Sequence, residues 1–225
     1  MKAVILAAGI GSRLGNPFPK PLTVLDNGSS IMQQQVSHLL NHLSIHDIIV
    51  VVGFKMELIV EEFPDLTYVY NERFDSTNTS KSLLKGLSRV RGEDAVFLNG
   101  DVVFDPRVLS RVLASPTSAM AVNTARVAEE EVKYLTAADG SISAVSKVVE
   151  GGLGEAVGVN FIKAADLDLV REKLEVVDDN DYFERGLELA IAEGLRLYPV
   201  DISDLDCIEV DFAEDLARAN EFVRE

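Results

Sequence analysis

A mostly parallel α/β sheet carrying helices on both faces is the fold that this sequence predicts, on three observations. Short β-rich apolar runs alternate with segments of helical period along the 225 residues, the rhythm of strand-helix-strand units. The first run, Lys2–Leu6, passes straight into a glycine-rich stretch, and a central one, Ala95–Asn99, ends in Gly100-Asp101. Open α/β sheets present their ligand crevice at such strand ends.

Strands are expected at Lys2–Leu6, Asp47–Val52, Leu66–Tyr70, Ala95–Asn99, Ser118–Val122, Gly158–Ile162, Leu195–Pro199 and Cys207–Val210. Between them the apolar spacing predicts helices at Ile31–His42, Met56–Phe63, Ser80–Val90, Pro106–Ala114, Asp166–Leu174, Tyr182–Glu193 and Glu214–Val223. The region Asn123–Val157 breaks the rhythm. Its short alternations, the Asp139-Gly140 turn signal and the glycines of Gly151–Gly154 predict an antiparallel hairpin or flap. The length suits a single domain, residues 1–225, with this flap as an insert at about 123–157.

Composition narrows the function. No apolar run reaches the roughly 18 to 20 residues that a membrane span needs. The apolar start at Met1–Leu6 breaks at once into Gly, Ser, Arg and Pro, so it reads as a strand rather than a secretory signal. One cysteine, Cys207, permits no internal disulfide and fits a cytoplasmic setting. A formal charge of −16 speaks against a nucleic-acid surface, which needs clustered Lys and Arg.

The densest signal is Leu6-Ala7-Ala8-Gly9-Ile10-Gly11-Ser12-Arg13, continuing through Pro19-Lys20-Pro21. Glycines after a strand let backbone N–H groups approach phosphate oxygens, which makes this a phosphate loop. A dinucleotide loop would need a third glycine where Leu14 stands, and a Walker loop would need Gly-Lys-Ser/Thr. What remains is a pair of cations, Arg13 and Lys20, around a proline-stiffened loop. Asp101, after an apolar strand, offers a hard oxygen of the kind Mg²⁺ prefers, although a turn aspartate serving backbone N–H groups has the same look. Asp211, in Glu209-Val210-Asp211-Phe212-Ala213-Glu214-Asp215-Leu216, offers another, or else forms a capping box with Glu214.

Over nearly its whole length the chain resembles the nucleotidyltransferase superfamily that makes sugar nucleotides and CDP-alcohols. The resemblance rests on Leu6–Arg13 with Pro19-Lys20, on Gly100-Asp101, and on the closing strand-Asp-turn-Glu-Asp-Leu pattern at residues 207–216. It implies a Rossmann-like, mostly parallel (mixed) sheet with a short antiparallel acceptor flap. It also implies a triphosphate cradled by the backbone of Leu6, Ala7, Ala8, Gly9, Gly11 and Ser12 and neutralised by Arg13 and Lys20, with Mg²⁺ as cofactor on Asp101 and Asp211. Lys147 stands where relatives carry a lysine for the acceptor's phosphate, and Tyr182-Phe183-Glu184 resembles a tyrosine-rich stretch near the acceptor.

The polar segment Asn71–Leu83, with Asn71, Asn78 and Ser80, resembles the base- and ribose-reading segment of phosphocholine-type and inositol-phosphate cytidylyltransferases, although Thr79 replaces their second asparagine. The resemblance therefore implies CTP and a small phosphorylated acceptor, with no nucleic-acid or membrane partner. The absence of Trp argues against a cage for a quaternary ammonium. Two alternatives are a sugar 1-phosphate enzyme using UTP or another triphosphate, and a regulatory nucleotide-binding module without catalysis. A glycosyltransferase is disfavoured, because Asp101-Val102-Val103 lacks the Asp-x-Asp metal motif. His38, His42 and His46 recur every four residues and are expected to be structural.

Overall fold

The strand β1 (Lys2–Ala7) is apolar on both faces, as a strand between two helical layers must be. A computed structural model describes it within residues 1–11, 17–125 and 131–223 of the chain. In order follow α1 (Ile31–Leu40), β2 (Ile48–Val52), α2 (Met56–Glu62), β3 (Thr67–Tyr70), α3 (Thr79–Leu87), β4 (Ala95–Asn99), β5 (Val102–Phe104), α4 (Arg107–Leu113) and β6 (Ser118–Asn123). The rest comprises β7 (Lys133–Thr136), β8 (Ile142–Ser146), β9 (Glu155–Ile162), α5 (Leu167–Val176), α6 (Phe183–Ala192), β10 (Leu197–Asp201), β11 (Cys207–Glu209) and α7 (Ala213–Val223).

The main sheet runs β10-β6-β9-β4-β1-β2-β3. Its pairs are parallel except where β9 runs antiparallel between β4 and β6. Alternation along β1 divides the core. Val4 and Leu6 pack toward α3, α5 and α6, while Ala3, Ile5 and Ala7 pack toward α1, α2 and α4. The sheet is thus mixed, mostly parallel and covered on both faces, as expected from the sequence.

From β1 the chain crosses to β2 on one side, and β4 lies on the other, so the order reverses at the β1/β4 junction. A ligand crevice is expected outside the carboxyl ends of those two strands. Gly100 makes the junction tight: its N–H donates to Leu6 O at 2.9 Å, and a Cβ on it would stand 2.5 Å from the same oxygen.

The irregular region contains the expected hairpin, β7 with β8, around Asp139 and Gly140. Its inner residues Tyr134, Ile142 and Val145 join the same core as α6. Two elements differ from expectation. The strand expected at Gly158 begins at Glu155, because Gly158 at φ +73° turns inside it, close to where the β6/β9 register shifts, rather than starting it. A strand the sequence pattern does not announce, β5, follows the Gly100-Asp101 turn directly and pairs antiparallel with β11. The last predicted strand therefore joins a separate two-stranded ribbon and not the main sheet.

The packing of α3 onto the sheet is testable at Gly86, where a Cβ would lie 2.5 Å from Val4 Cγ1 and 2.9 Å from Val51 Cγ2. Helix propensity alone would favour Gly86→Ala by about 1 kcal/mol. Overpacking of this kind costs about 1–3 kcal/mol, so a net fall in melting temperature is expected, and a larger one for Gly86→Val. A thermal melt of Gly86→Ala above the wild type would refute this packing.

Candidate functional site

The carboxyl ends of β1 and β4 open into a cavity of about 470 Å³. One wall is the loop after β1, with Leu6, Ala7, Ala8, Gly9, Ile10 and Gly11. Gly11 takes φ +64°, which favours glycine, and its α-carbon passes so near Lys20 that a Cβ there would stand 2.8 Å from Lys20 Cγ. Lys20 itself is fixed by a single 3₁₀ turn, Lys20–Leu22, which the rigid φ of Pro21 favours. Ser12 and Arg13, also assigned to this loop by resemblance, lie outside the described residues.

Across from the loop, the Gly100-Asp101 turn is held from several sides. Gln35 Nε2, buried on α1, donates to Asn99 O at 2.9 Å and to Val102 O at 2.7 Å. Asp101 O accepts from Val210 N at 2.9 Å, which draws the residues after β11 against the turn. This last contact brings Asp211 to Asp101 across more than a hundred residues of sequence. Lys20 Nζ donates to Asp101 Oδ2 at 3.0 Å and also to Asp211 Oδ1, joining the loop to both carboxylates. Burial opposes the ammonium charge, but Asp101 and Asp211 outweigh it and hold the Lys20 pKa above its ordinary value. Asp211 N and Phe212 N donate to Asp215 Oδ2 at 3.2 and 2.9 Å. The acid serving the front of α7 is therefore Asp215, while the Asp211 side chain faces Lys20.

Sequence reasoning passed over Glu209. Residues two apart on an extended strand share a face, so Glu209 accompanies Asp211. Oxygens of Asp101, Glu209 and Asp211 lie within 4.8 Å of one another. Glu209 as a residue is exposed, but its carboxyl is packed round by protein atoms. That burial, and after it the charges of Asp101 and Asp211, push its pKa well above the carboxylate range. Three carboxyl groups converging to this distance offer the kind of oxygen donors that a hard divalent cation takes.

The remaining expected residues divide. Asn78 lines the cavity, yet its side chain also pins two walls together, since Oδ1 accepts from Thr79 N and Nδ2 donates to Asn180 O at 3.1 Å. Asn71 is fully buried and does not line the cavity. Its Nδ2 donates to Thr77 Oγ1 and Ser82 Oγ, and its Oδ1 accepts from Arg73 N. Ser80 is buried inside the first turn of α3, and the cap of that helix is Asn78. Phe74, Thr77, Thr79, Ser82 and Asn99 line the cavity instead. Asn99 brings a buried Oδ1 that has no donor among the described residues.

At the far end, Lys147 Nζ rests 5.2 Å from the centre of the Tyr182 ring, and both residues line the cavity. Behind Tyr182, Phe183 N donates to Thr79 Oγ1 at 3.1 Å and Glu184 is buried. The histidines lie elsewhere. His38 packs edge-on to Phe104 with ring centres 5.3 Å apart, and α1 ends at Leu40 before His42.

Burial pushes the Glu184 pKa up to about 7, against the pull of its own backbone N–H and the Lys147 ammonium, with Glu188 adding a smaller push. The folded chain thus holds this proton more tightly than the unfolded chain. The wild type should lose stability relative to Glu184→Gln as pH rises from the ordinary value of 4.5 to about 7. At 1.36 kcal/mol per unit the full difference is on the order of 3 kcal/mol. Chemical denaturation of both proteins from pH 4 to 8 checks this, and parallel stability curves would refute it.

The model of the MobA-like NTP transferase domain matches residues 3–157. The CMP-5′-(3-aminopropyl)phosphonate synthase of Streptomyces rubellomurinus is 32% identical over 246 aligned residues, which take in 98% of this chain and 38% of that protein. The bifunctional protein GlmU of Francisella philomiragia is 30% identical over 128 residues, 56% of this chain and 28% of that protein. The chain thus spans well under half the length of the curated relatives it matches. Among solved structures, the CTP:phosphocholine cytidylyltransferase of Streptococcus pneumoniae superposes with TM-score 0.77 at 19% identity, covering 99% of this chain and 98% of that one. The inositol-1-phosphate CTP transferase of T. maritima superposes with TM-score 0.81 at 17% identity, covering 100% and 96%. These two likenesses establish a shared Rossmann-like nucleotidyltransferase fold. Matched by the domain model over more than half its length, this chain belongs to the MobA-like NTP transferase family.

Proposed function

We propose that this protein transfers a cytidylyl group from CTP to a small acceptor bearing a phosphate or phosphonate, with release of pyrophosphate. The observation that carries the reading is the meeting of Lys20, Asp101, Glu209 and Asp211 in one cavity beside a glycine-rich loop. The choice of CTP is supported by the relative whose name joins CMP to a phosphonate, and by the two CTP-dependent structural neighbours. The reading takes the chain as one catalytic domain, residues 1–225, with residues 123–157 as the acceptor side.

An acceptor oxygen attacks the α-phosphorus of CTP, forming one P–O bond while the bond to the β-phosphate bridging oxygen breaks and pyrophosphate departs. The attacking oxygen is already anionic, so no general base is required, and catalysis reduces to positioning and charge neutralisation. The backbone from Leu6 to Gly11 approaches the phosphates, Gly9 and Gly11 giving room for them, with Ser12 added on the strength of the sequence resemblance alone. Lys20 and Arg13 balance the charge of the leaving pyrophosphate, Arg13 on the strength of the sequence resemblance alone. Asp101 and Asp211, joined by Glu209, would hold Mg²⁺, which when bound supplies a Lewis acid for the phosphate oxygens. Lys147 orients the acceptor's phosphate. Asn78 and its neighbours Thr77 and Thr79 border the space for the nucleoside, while Asn71 and Ser80, assigned by resemblance, act from behind that wall.

Pyrophosphate release measured over four triphosphates and a panel of phosphorylated alcohols, phosphonates and sugar 1-phosphates tests the reading. CTP is expected to lead. A clear lead for UTP with sugar 1-phosphates would replace it by the sugar-nucleotide alternative. Asp101→Asn and Asp211→Asn should each lower turnover by about two orders of magnitude or more, and non-additively in combination. Lys20→Ala should cost well over about tenfold, as befits a charge-assisted phosphate contact. Folded variants with near-normal turnover would defeat these assignments.

A further inference from the structure

Among the described residues, Lys55 is the one non-glycine that takes a positive φ, with φ 46° and ψ 43°. Left-handed backbone is strained for a residue with a Cβ. The position is also the N-cap of α2, where Asn, Asp or Gly would suit both the backbone and the cap. Lysine suits neither, and its side chain makes no capping bond. Strain that the surroundings hold in place implies a use for the side chain. Lys55 does not line the cavity, so that use lies in what its ammonium touches.

The ammonium reaches the far stem of the glycine-rich loop. Its Nζ donates to Pro17 O at 2.7 Å and stands 5.9 Å from the centre of the Phe18 ring and 5.4 Å from that of Phe54. The near stem is held by the two residues before it. Phe54 N donates to Ala8 O at 3.1 Å, and a Cβ on Gly53 would stand 2.6 Å from Ala8 O and 2.5 Å from Phe74 Cβ. Residues 53–55, directly after β2, thus grip the loop at both ends, Ala8 and Pro17. From Pro17 the path to the cavity is short and stiff. Prolines at positions 17, 19 and 21 fix their own φ and restrict the residue before each, so Phe18 and Lys20 have little backbone freedom. Leu22 N closes the turn on Pro19 O at 2.9 Å, and Pro19 is buried. A shift at Pro17 is therefore passed on to Lys20.

We propose that Lys55 is a positioning residue for the transfer: by clasping Pro17 and Phe18 it sets where the Lys20 ammonium stands, without touching substrate itself. The proposal rests on the transfer reading above, which puts Lys20 on the phosphates of CTP. Acting through Lys20 has two marks. Loss of the Lys55 ammonium weakens the hold on the triphosphate and spares the hold on the nucleoside. The same loss has no effect once Lys20 is gone, because the clasp then has nothing to place.

The test titrates CTP and CMP, each with Mg²⁺, into the full chain by calorimetry, with thermal melts beside it. Lys55→Met keeps a flexible stem and loses the charge and its N–H donors. It should weaken CTP by about five- to tenfold and CMP by less than about twofold, since a displaced Lys20 loses part of its contact with the outer phosphates. Lys55→Gly should weaken CTP to the same degree while melting within about 3 °C of the wild type or above it, because glycine adopts the left-handed backbone freely. A lysine that only supported the fold would not separate affinity from stability in this way. In a Lys20→Ala background, Lys55→Met should change CTP affinity by less than about twofold. Additive losses would show that Lys55 acts independently of Lys20 and would overturn the proposal. So would CTP affinity within about twofold of the wild type in both single variants, equal losses for CTP and CMP, or a CTP loss confined to a variant whose melting temperature falls beyond that margin. Normal CTP affinity in Lys20→Ala would remove Lys20 from the phosphates and the proposal with it, and no CTP binding by the wild type would overturn the transfer reading as well.

Discussion

Two carboxylates drawn together at the edge of a sheet repel each other unless a proton or a cation stands between them, and here the Lys20 ammonium bonds to both Asp101 and Asp211. Much of the local architecture serves this contact. Pro21 stiffens the turn that presents the lysine, Gly11 yields room for its stem, and Gln35 clamps both ends of the Gly100-Asp101 turn. The energetic logic is one of balance. Removing one member of a partly buried charge cluster leaves the others exposed to their mutual repulsion. Glu209 adds a third carboxyl group within 4.8 Å of the other two, and its raised pKa is the mark of that crowding.

The layering of the core explains why the cluster can be both rigid and open. Helices α3, α5 and α6 cover one face and α1, α2 and α4 the other, so strands β1 and β4 are fixed along their length, and the cavity opens beyond their carboxyl ends. Gly100 brings the backbones of the two strand ends within hydrogen-bond distance, and the catalytic geometry proposed here inherits the precision of the sheet. The loops opposite are held less directly. Asn78 and Lys81 dock the last turn of α5 and the segment after it onto the start of α3 by hydrogen bonds to their carbonyls, so the far end of the cavity depends on polar contacts rather than on packed strands.

Much of this was legible in the sequence where the chemistry is local. The run Leu6–Gly11 drew notice because glycines follow a strand directly, and Asp101 because it follows an apolar strand, and the structure sets both on the lining of one cavity. Glu209 was not legible, since its strand is three residues long and pairs only with β5, itself hidden behind the Gly100-Asp101 turn. Until that pairing is known, Glu209 is one acid among many in an acidic chain. Asn71 shows the opposite limit. Its residue type suits ligand recognition, but Thr77 and Ser82 turn it inward, and no local pattern reveals which way a buried amide points. The spacing of Asp211 and Glu214 suggested a cap, yet the oxygen accepting from those N–H groups belongs to Asp215, one residue further on.

The pairing of β11 with β5 carries a consequence for how the cluster is assembled. Lys20 and Asp101 stand on segments next to the central strands, whereas Glu209 and Asp211 are brought to them only when β11 pairs with β5 and Val210 N–H reaches Asp101 O. Loss of that small ribbon would break no strand pairing of the main sheet, yet would separate Lys20 from one of its two carboxylates. The charge balance of the cavity is thus keyed to a three-residue pairing outside the main sheet.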